Sequence, residues 1–377
     1  MKKKRIIEVL IDQPLNPIIK DKLKIENIYK KHDLRILSLE FYNKKSFLDF
    51  KDLSSDEFST FHFKSFKEFR IFLKENTSNL IICFGSFDQK ILSIVDKKRN
   101  LKLFYFGGYL PTIEKNNSLN TFLIKMRSLY NPSNWNKIFR FISQRFIRGH
   151  KNFSYIVLSG GSDGIRQVKA KKLIGKDTKI ITINSFDLQR YQKFKSKKLK
   201  ALLSHDYAVF LDQYIPYHPD FALSGIKIDD PEKYFKLINN FFDRFEKFHN
   251  IPIEIALHPK SKYISNPFNG RRIHSKETLN LILNSKIVIG HSSSALSFAA
   301  LENKPIILIG TDTMIKNDFY IKTFQTNLDC SLIDLSKKYD LPKKYPLNKR
   351  SYDNFINRYL GNREIHDNDW HKEVDLL

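Results

Sequence analysis

Short apolar runs recur along the chain at intervals that leave room for one helix between each pair. RIIEVLID, LRILSLEFY, NLIICFGS and LKLFYFGG open the series, FSYIVLSGGSDG and TKIITINS extend it, and YAVFLDQ, IPIEIALH, KIVIGH and KPIILIG repeat it later. Amphipathic segments separate them, among them PEKYFKLINNFFDRFEKFH and KETLNLILNS. Strands alternating with helices predict parallel sheets with crossover connections, an α/β class. NTFLIKMRSLYNPSNWNKIFRFISQRF carries apolar residues at helical spacing, broken by Pro132. At 377 residues the chain exceeds what one hydrophobic core usually holds, so two domains are expected. The basic segment LQRYQKFKSKKLKAL places the boundary near Lys195 to Leu203, dividing the chain into 1–198, 199–345 and a tail of 346–377. The tail reads as polar helix with apolar anchors, expected to pack back on the first domain.

Composition narrows the function classes. Hydrophobic residues form 41% of the chain and aromatic residues 14%, enough for packed cores and against disorder. No run of about 18 uncharged apolar residues occurs, and MKKKRIIEVLIDQPLNP meets Asp12 and Pro14 too early to be a leader, so a cytoplasmic location is expected. Cys83 and Cys330 are far apart and lie in or beside apolar segments, which predicts buried thiols rather than a disulfide or a metal site. The formal charge of +25 suits nucleic acid, anionic lipid or phosphorylated substrates, and equally the lysine excess of an AT-rich coding sequence.

Polar residues cluster where the later strands end. In IEIALHPKSKY, His258, Pro259 and Lys260 follow a strand that proline forces to turn, which presents the imidazole at the carboxyl edge where open α/β sheets bind ligands. In KIVIGHSSSALSFAALENKP, His291, Ser292, Ser293 and Ser294 stand between a strand ending at Gly290 and a helix expected to start near Ser294. Hydroxyls and unpaired N–H groups there suit phosphate; one serine would suffice for plain capping. Asp212, Gln213, His218 and Asp220 in FLDQYIPYHPD form a further polar set, read either as an acceptor or cleft group or as loop structure. Arg271 and Arg272 in FNGRRIHSKET either neutralise donor charge or solubilise the surface. SGGSDG, with Gly160, Gly161 and Asp163, lacks the Gly-Lys-Ser/Thr that closes a P-loop, no GxGxxG opens a helix, and no metal-ligand spacing appears.

A His-Pro pair after one strand, a serine-rich turn after the next, and NKPIILI beyond it resemble the C-terminal half of GT-B glycosyltransferases that use cytidine-nucleotide donors. Bacterial sialyltransferases, Kdo transferases and glycerol-phosphate polymerases share this pattern. TINSFDLQRY, YAVFLDQYIPYHPDF and FNGRRIHSKET are similar to segments of bacterial surface-carbohydrate biosynthesis proteins, and the resemblance runs from about Ser154 to Thr313. It implies a GT-B-like fold of two facing Rossmann-like domains with parallel sheets and a C-terminal helical tail. It also implies a CMP-sugar donor on the C-terminal domain, a glycan or lipid-linked acceptor on the N-terminal domain, and no cofactor or metal. His258 would contact the donor phosphate from one side and Ser292 to Ser294 from the other, with Pro259, Lys260, Arg271 and His291 alongside. The chain departs from the sialyltransferase pattern in one place: no acidic pair followed by glycine stands at an N-terminal strand end.

That departure leaves the base open. Asp12 follows the first strand and Asp163 lies in a glycine-rich loop, and each reads as a catalytic carboxylate or as a turn or cap residue. The expected function is sugar transfer to a bacterial surface glycan, capsule or lipopolysaccharide included, with peripheral contact to an anionic membrane from the cytoplasmic side. Two alternatives come from other classes, a polyanion-binding protein and a nucleotide-sugar epimerase. Lysines spread over nearly all segments and the absence of a nucleic-acid motif argue against nucleic acid as partner.

Overall fold

The computed structural model describes residues 4–42, 53, 55–107, 111, 152–170, 172–197, 202–218, 229–317, 319–366 and 369–374. The segment 120–146 expected to be helical lies outside them. The chain forms two compact units, one of Met1–Gly108, Glu114–Phe186 and Asp367–Leu377 and one of Tyr109–Ile113 and Asp187–His366.

In the first unit the order is β1 (Ile6–Ile11), α1 (Pro17–Lys22), α2 (Ile25–Tyr29), β2 (Asp33–Leu39), β3 (Ser59–Phe63), α3 (Phe66–Glu75), β4 (Leu80–Phe84), α4 (Gln89–Lys98), β5 (Lys102–Gly107), β6 (Tyr155–Ser159), α5 (Asp163–Ala170) and β7 (Lys179–Ile183). Helix α6 (Phe186–Ser196) spans the crossing into the second unit. There follow β8 (Ala208–Leu211), α7 (Pro231–His249), β9 (Ile253–Ala256), β10 (Ile273–His274), α8 (Thr278–Asn284), β11 (Ile287–Gly290), α9 (Leu296–Leu301), β12 (Ile306–Gly310), α10 (Asp312–Asn317), α11 (Phe319–Leu328), β13 (Ser331–Asp334) and α12 (Lys349–Phe355).

Both sheets are parallel, seven strands in the order β3-β2-β1-β4-β5-β6-β7 and six in the order β10-β9-β8-β11-β12-β13. The α/β expectation therefore holds, with two parallel sheets. In each, the first strand of the unit lies inside and the order reverses beside it, between β1 and β4 and between β8 and β11. Alternate residues of a strand point to opposite faces. Val209 and Leu211 accordingly join one buried cluster and Ala208 and Phe210 another, and Ile306 and Leu308 divide from Ile307 and Ile309 in the same way. Both faces are covered, which is why the strands read as continuous apolar runs. Inside the first sheet, fully buried Glu8 of β1 receives Arg99 through two hydrogen bonds of 2.7 and 2.9 Å and Ser78 Oγ at 2.9 Å. A buried carboxylate is tolerated only when its lone pairs are met in this way.

Leu188 is buried in a cluster of the second unit, which draws most of α6 there and puts the crossing at Phe186–Asp187, earlier in the chain than the basic segment suggests. The tail behaves as two pieces rather than one. Helix α12 and the π-helical turn Ile356–Leu360 bury Tyr352, Phe355, Ile356, Tyr359 and Leu360 in the second unit. Only the piece around Trp370 returns to the first. Its indole meets Tyr105 edge-on at 5.8 Å, Asp369 pairs with Lys24 at 2.9 Å, and fully buried His371 donates from Nε2 to the Leu23 carbonyl at 3.0 Å. Among the described residues no helix is long and apolar enough to cross a membrane.

Burial pushes the His371 pKa down to about 4. The folded protein keeps this ring neutral, whereas the unfolded chain protonates it near pH 6.5, so its contribution is complete above about pH 6.5 and lost toward pH 4, roughly 3 kcal/mol in all. Of the two tryptophans, a Trp135→Phe background leaves Trp370 as reporter. Its emission is expected to shift red on unfolding at successively lower denaturant concentrations below about pH 6.5, and His371→Gln to flatten that dependence; an unchanged pH profile would remove the role given to His371.

Candidate functional site

Two consecutive side chains at the end of β8 organise the carboxyl edge of the second sheet. Asp212 turns toward the loop after β9, and Gln213 toward the loop after β11. Asp212 is buried and accepts four hydrogen bonds, from Tyr214 N–H at 2.9 Å, Tyr263 OH at 3.0 Å, Ser261 Oγ at 2.8 Å and His258 N–H at 3.3 Å. Burial raises its pKa, against the hydrogen bonds, which lower it. Gln213 Oε1 accepts the Ser292 N–H at 2.7 Å. The central strand thus ties down both neighbouring loops.

Those loops carry the expected residues. His258 is half-buried at the first turn after β9, and its Nδ1 accepts the Lys260 N–H at 3.2 Å, so the ring proton belongs on Nε2 when the imidazole is neutral. Ring centroids of His258 and His218 are 4.8 Å apart at 73°. On the other side of β8 the serines form a turn in which Ser293 Oγ accepts the Ala295 N–H at 3.2 Å and Ser294 is exposed. Helix α9 begins only at Leu296 and has six residues, opened by short i→i+3 bonds from Leu296, Ser297 and Phe298. Its dipole contributes little, so anion binding here would fall to the turn itself. Among the described residues no acceptor takes the N–H groups of Ser293 and Ser294. With β8 between them, β9 and β11 are two strand spacings apart, roughly 10 Å, and their loops stand on either side of its end.

Other expected residues lie elsewhere. His291 is fully buried, its Nδ1 donating to the Ile309 carbonyl at 2.6 Å and its Nε2 accepting from Tyr234 OH at 2.9 Å, and burial lowers its pKa to about 4. It is a core residue, because the ring follows the strand's alternation inward. Arg271 is likewise committed, to Asp243 at 2.5 Å and Glu246 at 2.6 Å, with its guanidinium 5.1 Å from the Phe242 ring. It braces the loop before β10 against α7 and is not part of this edge; Arg272 has an exposed side chain and gives its carbonyl to Ile255 N–H. Pro259 is exposed beside His258. Asp220 lies outside the described residues.

One buried group at this edge is not anticipated from the sequence. Asp229 accepts hydrogen bonds from Thr311 Oγ1, from Thr313 Oγ1 at 3.1 Å and from Lys233 Nζ at 2.6 Å, tying the end of β12 to the start of α7. The signal was GTDT, which begins on the last residue of the strand IILIG.

The first unit repeats the arrangement with a different charge. Asp12, directly after β1, accepts the Ser86 N–H at 2.8 Å across the reversal to β4. Gly85 between them has φ +155°, and a Cβ there would stand 2.6 Å from Asp12 Oδ1, so only glycine leaves the carboxylate its place. Burial raises the Asp12 pKa. Asp163 opens α5 beyond β6, buried and 3.7 Å from Arg166, and Gly160, at φ +143°, and Gly161 form the turn before it. Three strand spacings, about 14 Å, separate it from Asp12, so the two carboxylates do not form one constellation. Among the described residues no group of three or more His, Cys, Asp or Glu is placed to hold a metal ion.

No family model matches the chain, and no curated protein matches it. Solved structures similar to it include the wall teichoic acid polymerase TagF, with 11% identity, 99% of this chain and 88% of that chain covered, and a TM-score of 0.48. The calicheamicin glycosyltransferase CalG4 gives 8%, 89%, 87% and 0.43, and Arabidopsis thaliana UGT89C1 complexed with UDP gives 9%, 93%, 90% and 0.44. Likenesses this distant assign no chemistry to the chain.

Removing the Asp212 carboxylate leaves buried donors unpaired, at about 1–3 kcal/mol. Asp212→Ala is expected to lower the melting temperature of its unit by about 2–4 °C for each kcal/mol lost. A variant as stable as the parent would show that the carboxylate does not hold the two loops.

Proposed function

We propose that the chain is a GT-B-type glycosyltransferase that moves a sugar from a CMP-sugar donor onto a bacterial surface glycan or its lipid-linked precursor. One observation carries the reading: His258 and the Ser292–Ser294 turn flank the end of β8, each fixed to it by a neighbouring side chain. Such a pair offers N–H and O–H donors to one anion from two sides. Negative charge develops on the leaving phosphate as the glycosidic bond breaks, and preorganised donors aimed at that charge often lower the barrier more than any other feature of a site. The His-Pro and serine motifs favour cytidine through their resemblance to CMP-sugar enzymes.

The base falls to the first unit. Asp12 is the stronger candidate, since burial raises its pKa and a carboxylate of raised pKa is the better proton acceptor. The reversal point of the second sheet carries an amide, Gln213, where the first carries this carboxylate, which suits an anion in one and a hydroxyl losing its proton in the other. The charge of +25 supports attraction to an anionic membrane bearing the acceptor.

A ligand that binds only the folded state stabilises it by mass action, about 2.7 kcal/mol at 100 times Kd. CMP is expected to raise the melting temperature more than UMP, GMP or AMP, and His258→Ala to keep the ligand-free melting temperature while losing the shift. Equal shifts for every base remove the cytidine assignment; no shift with any nucleotide removes the donor site.

A further inference from the structure

Between β9 and β10 the chain runs through LHPKSKYISNPFNGRR, and this loop leaves one apolar side chain wholly in water. Ile264 is 107% exposed, more than any other large hydrophobic residue among those described. We propose that the loop is a membrane-docking finger, with Ile264 entering the interface of an anionic lipid bilayer while Lys262 and its basic neighbours meet the headgroups. This gives the membrane contact proposed above a place on the fold, and it rests on that part of the reading alone.

The exposure is built into the loop. On one side of Ile264, Tyr263 donates its hydroxyl to Asp212 at 3.0 Å and packs its ring on Tyr214, Tyr217 and Phe235 at 5.0, 6.3 and 6.0 Å. On the other side, Asn266 donates to the Arg271 carbonyl at 2.8 Å and accepts the Phe268 N–H at 3.0 Å. Pro267 gives its carbonyl to Asn239 of α7 at 2.9 Å, and Phe268 is fully buried. With both flanks fixed, the isoleucine is held away from the core. Single exposed apolar residues are common on protein surfaces. What sets this one apart is its fixed presentation among unopposed positive charges.

Those charges name the partner. From Ile255 to Lys276 the sequence holds Lys260, Lys262, Arg271, Arg272 and Lys276 and no acidic residue. Arg271 is committed to Asp243 and Glu246, whereas Lys262, Arg272 and Lys276 have exposed side chains and pair with no carboxylate among the described residues. Glu254, just before this stretch, is buried and faces His205 and His274. Lys262 and Lys276 follow neighbouring strands, so both stand at the carboxyl edge of the sheet. Basic residues beside an anionic membrane strengthen binding about fivefold each, and an aliphatic side chain in the interface adds an attraction that salt does not screen. A polyanion such as RNA would use the charges and leave the isoleucine in water.

The experiment is co-sedimentation of the full chain with vesicles of phosphatidylcholine alone and of phosphatidylcholine with phosphatidylglycerol, at low and high salt. Wild-type protein is expected to prefer the anionic vesicles and to be released in part by salt. Ile264→Asn is expected to weaken that binding about tenfold or more at both salt concentrations. Lys262→Gln and Lys276→Gln are expected to weaken it about fivefold each, at low salt only. The melting temperature of each variant should match the parent, since all three side chains are exposed. Weakening by the lysine variants but not by Ile264→Asn marks a general polyanion surface and overturns the finger. Wild-type binding that none of the variants weakens overturns it too and leaves the membrane contact to another surface. Equal binding to both kinds of vesicle overturns the anionic assignment, and no binding to either overturns the finger and the membrane contact together. The melting shift with CMP tests the donor site separately from all of these.

Discussion

Where the strand order of a parallel sheet reverses, the two crossover connections leave in opposite directions and the carboxyl ends of the strands on either side are left without cover. Backbone N–H groups at that point need acceptors, and this chain supplies them from the residues that end the inner strand. Asp12 takes the N–H of Ser86 in the first sheet, and Gln213 takes that of Ser292 in the second. The sites depend on this, because the same contacts fix the position of everything the following loops carry.

In the second unit the consequence is that both edge loops are tied to one strand. Asp212 and Gln213 are adjacent in sequence yet serve opposite neighbours, so the His258 turn and the serine turn are referenced to a single strand. The frame is apolar on both faces, with Phe210, Ile289 and Ile309 buried beneath the edge and Val209, Val288 and Leu308 on the other side. A displacement of either loop would unpair the buried Asp212 carboxylate or the half-buried Gln213 amide, which makes the geometry costly to disturb. Polar groups that face inward, His291 above all, serve the frame.

Much of this was legible in the sequence. IIEVLI, LIICF and IILIG read as buried parallel strands because both faces are covered, and His-Pro after IEIA marks a turn because proline cannot continue the ladder. The strands STFHF, IH and SLID were not legible. Each has exposed or half-exposed positions or spans only two residues, and so produces no apolar run. The division of labour among the polar residues was hidden for a different reason. Whether a residue one place after a strand points into the core or out of it, as with His291, depends on where the strand ends. The joint role of Asp212 and HPKSKY depends on β8 and β9 being neighbours in space. Arg271 looked available because Asp243 and Glu246 are far from it in sequence and one helix away in the fold.

The central claim is that an anion is held at the end of β8 between His258 and the serine turn. A crystal structure of the protein with CMP bound tests it most directly. The phosphate is expected within hydrogen-bond distance of His258 Nε2 and of the Ser293 or Ser294 backbone N–H, with Asp212 and Gln213 keeping their present partners. A phosphate bound at any other place on the second unit, with the His258 turn and the serines untouched, would contradict it.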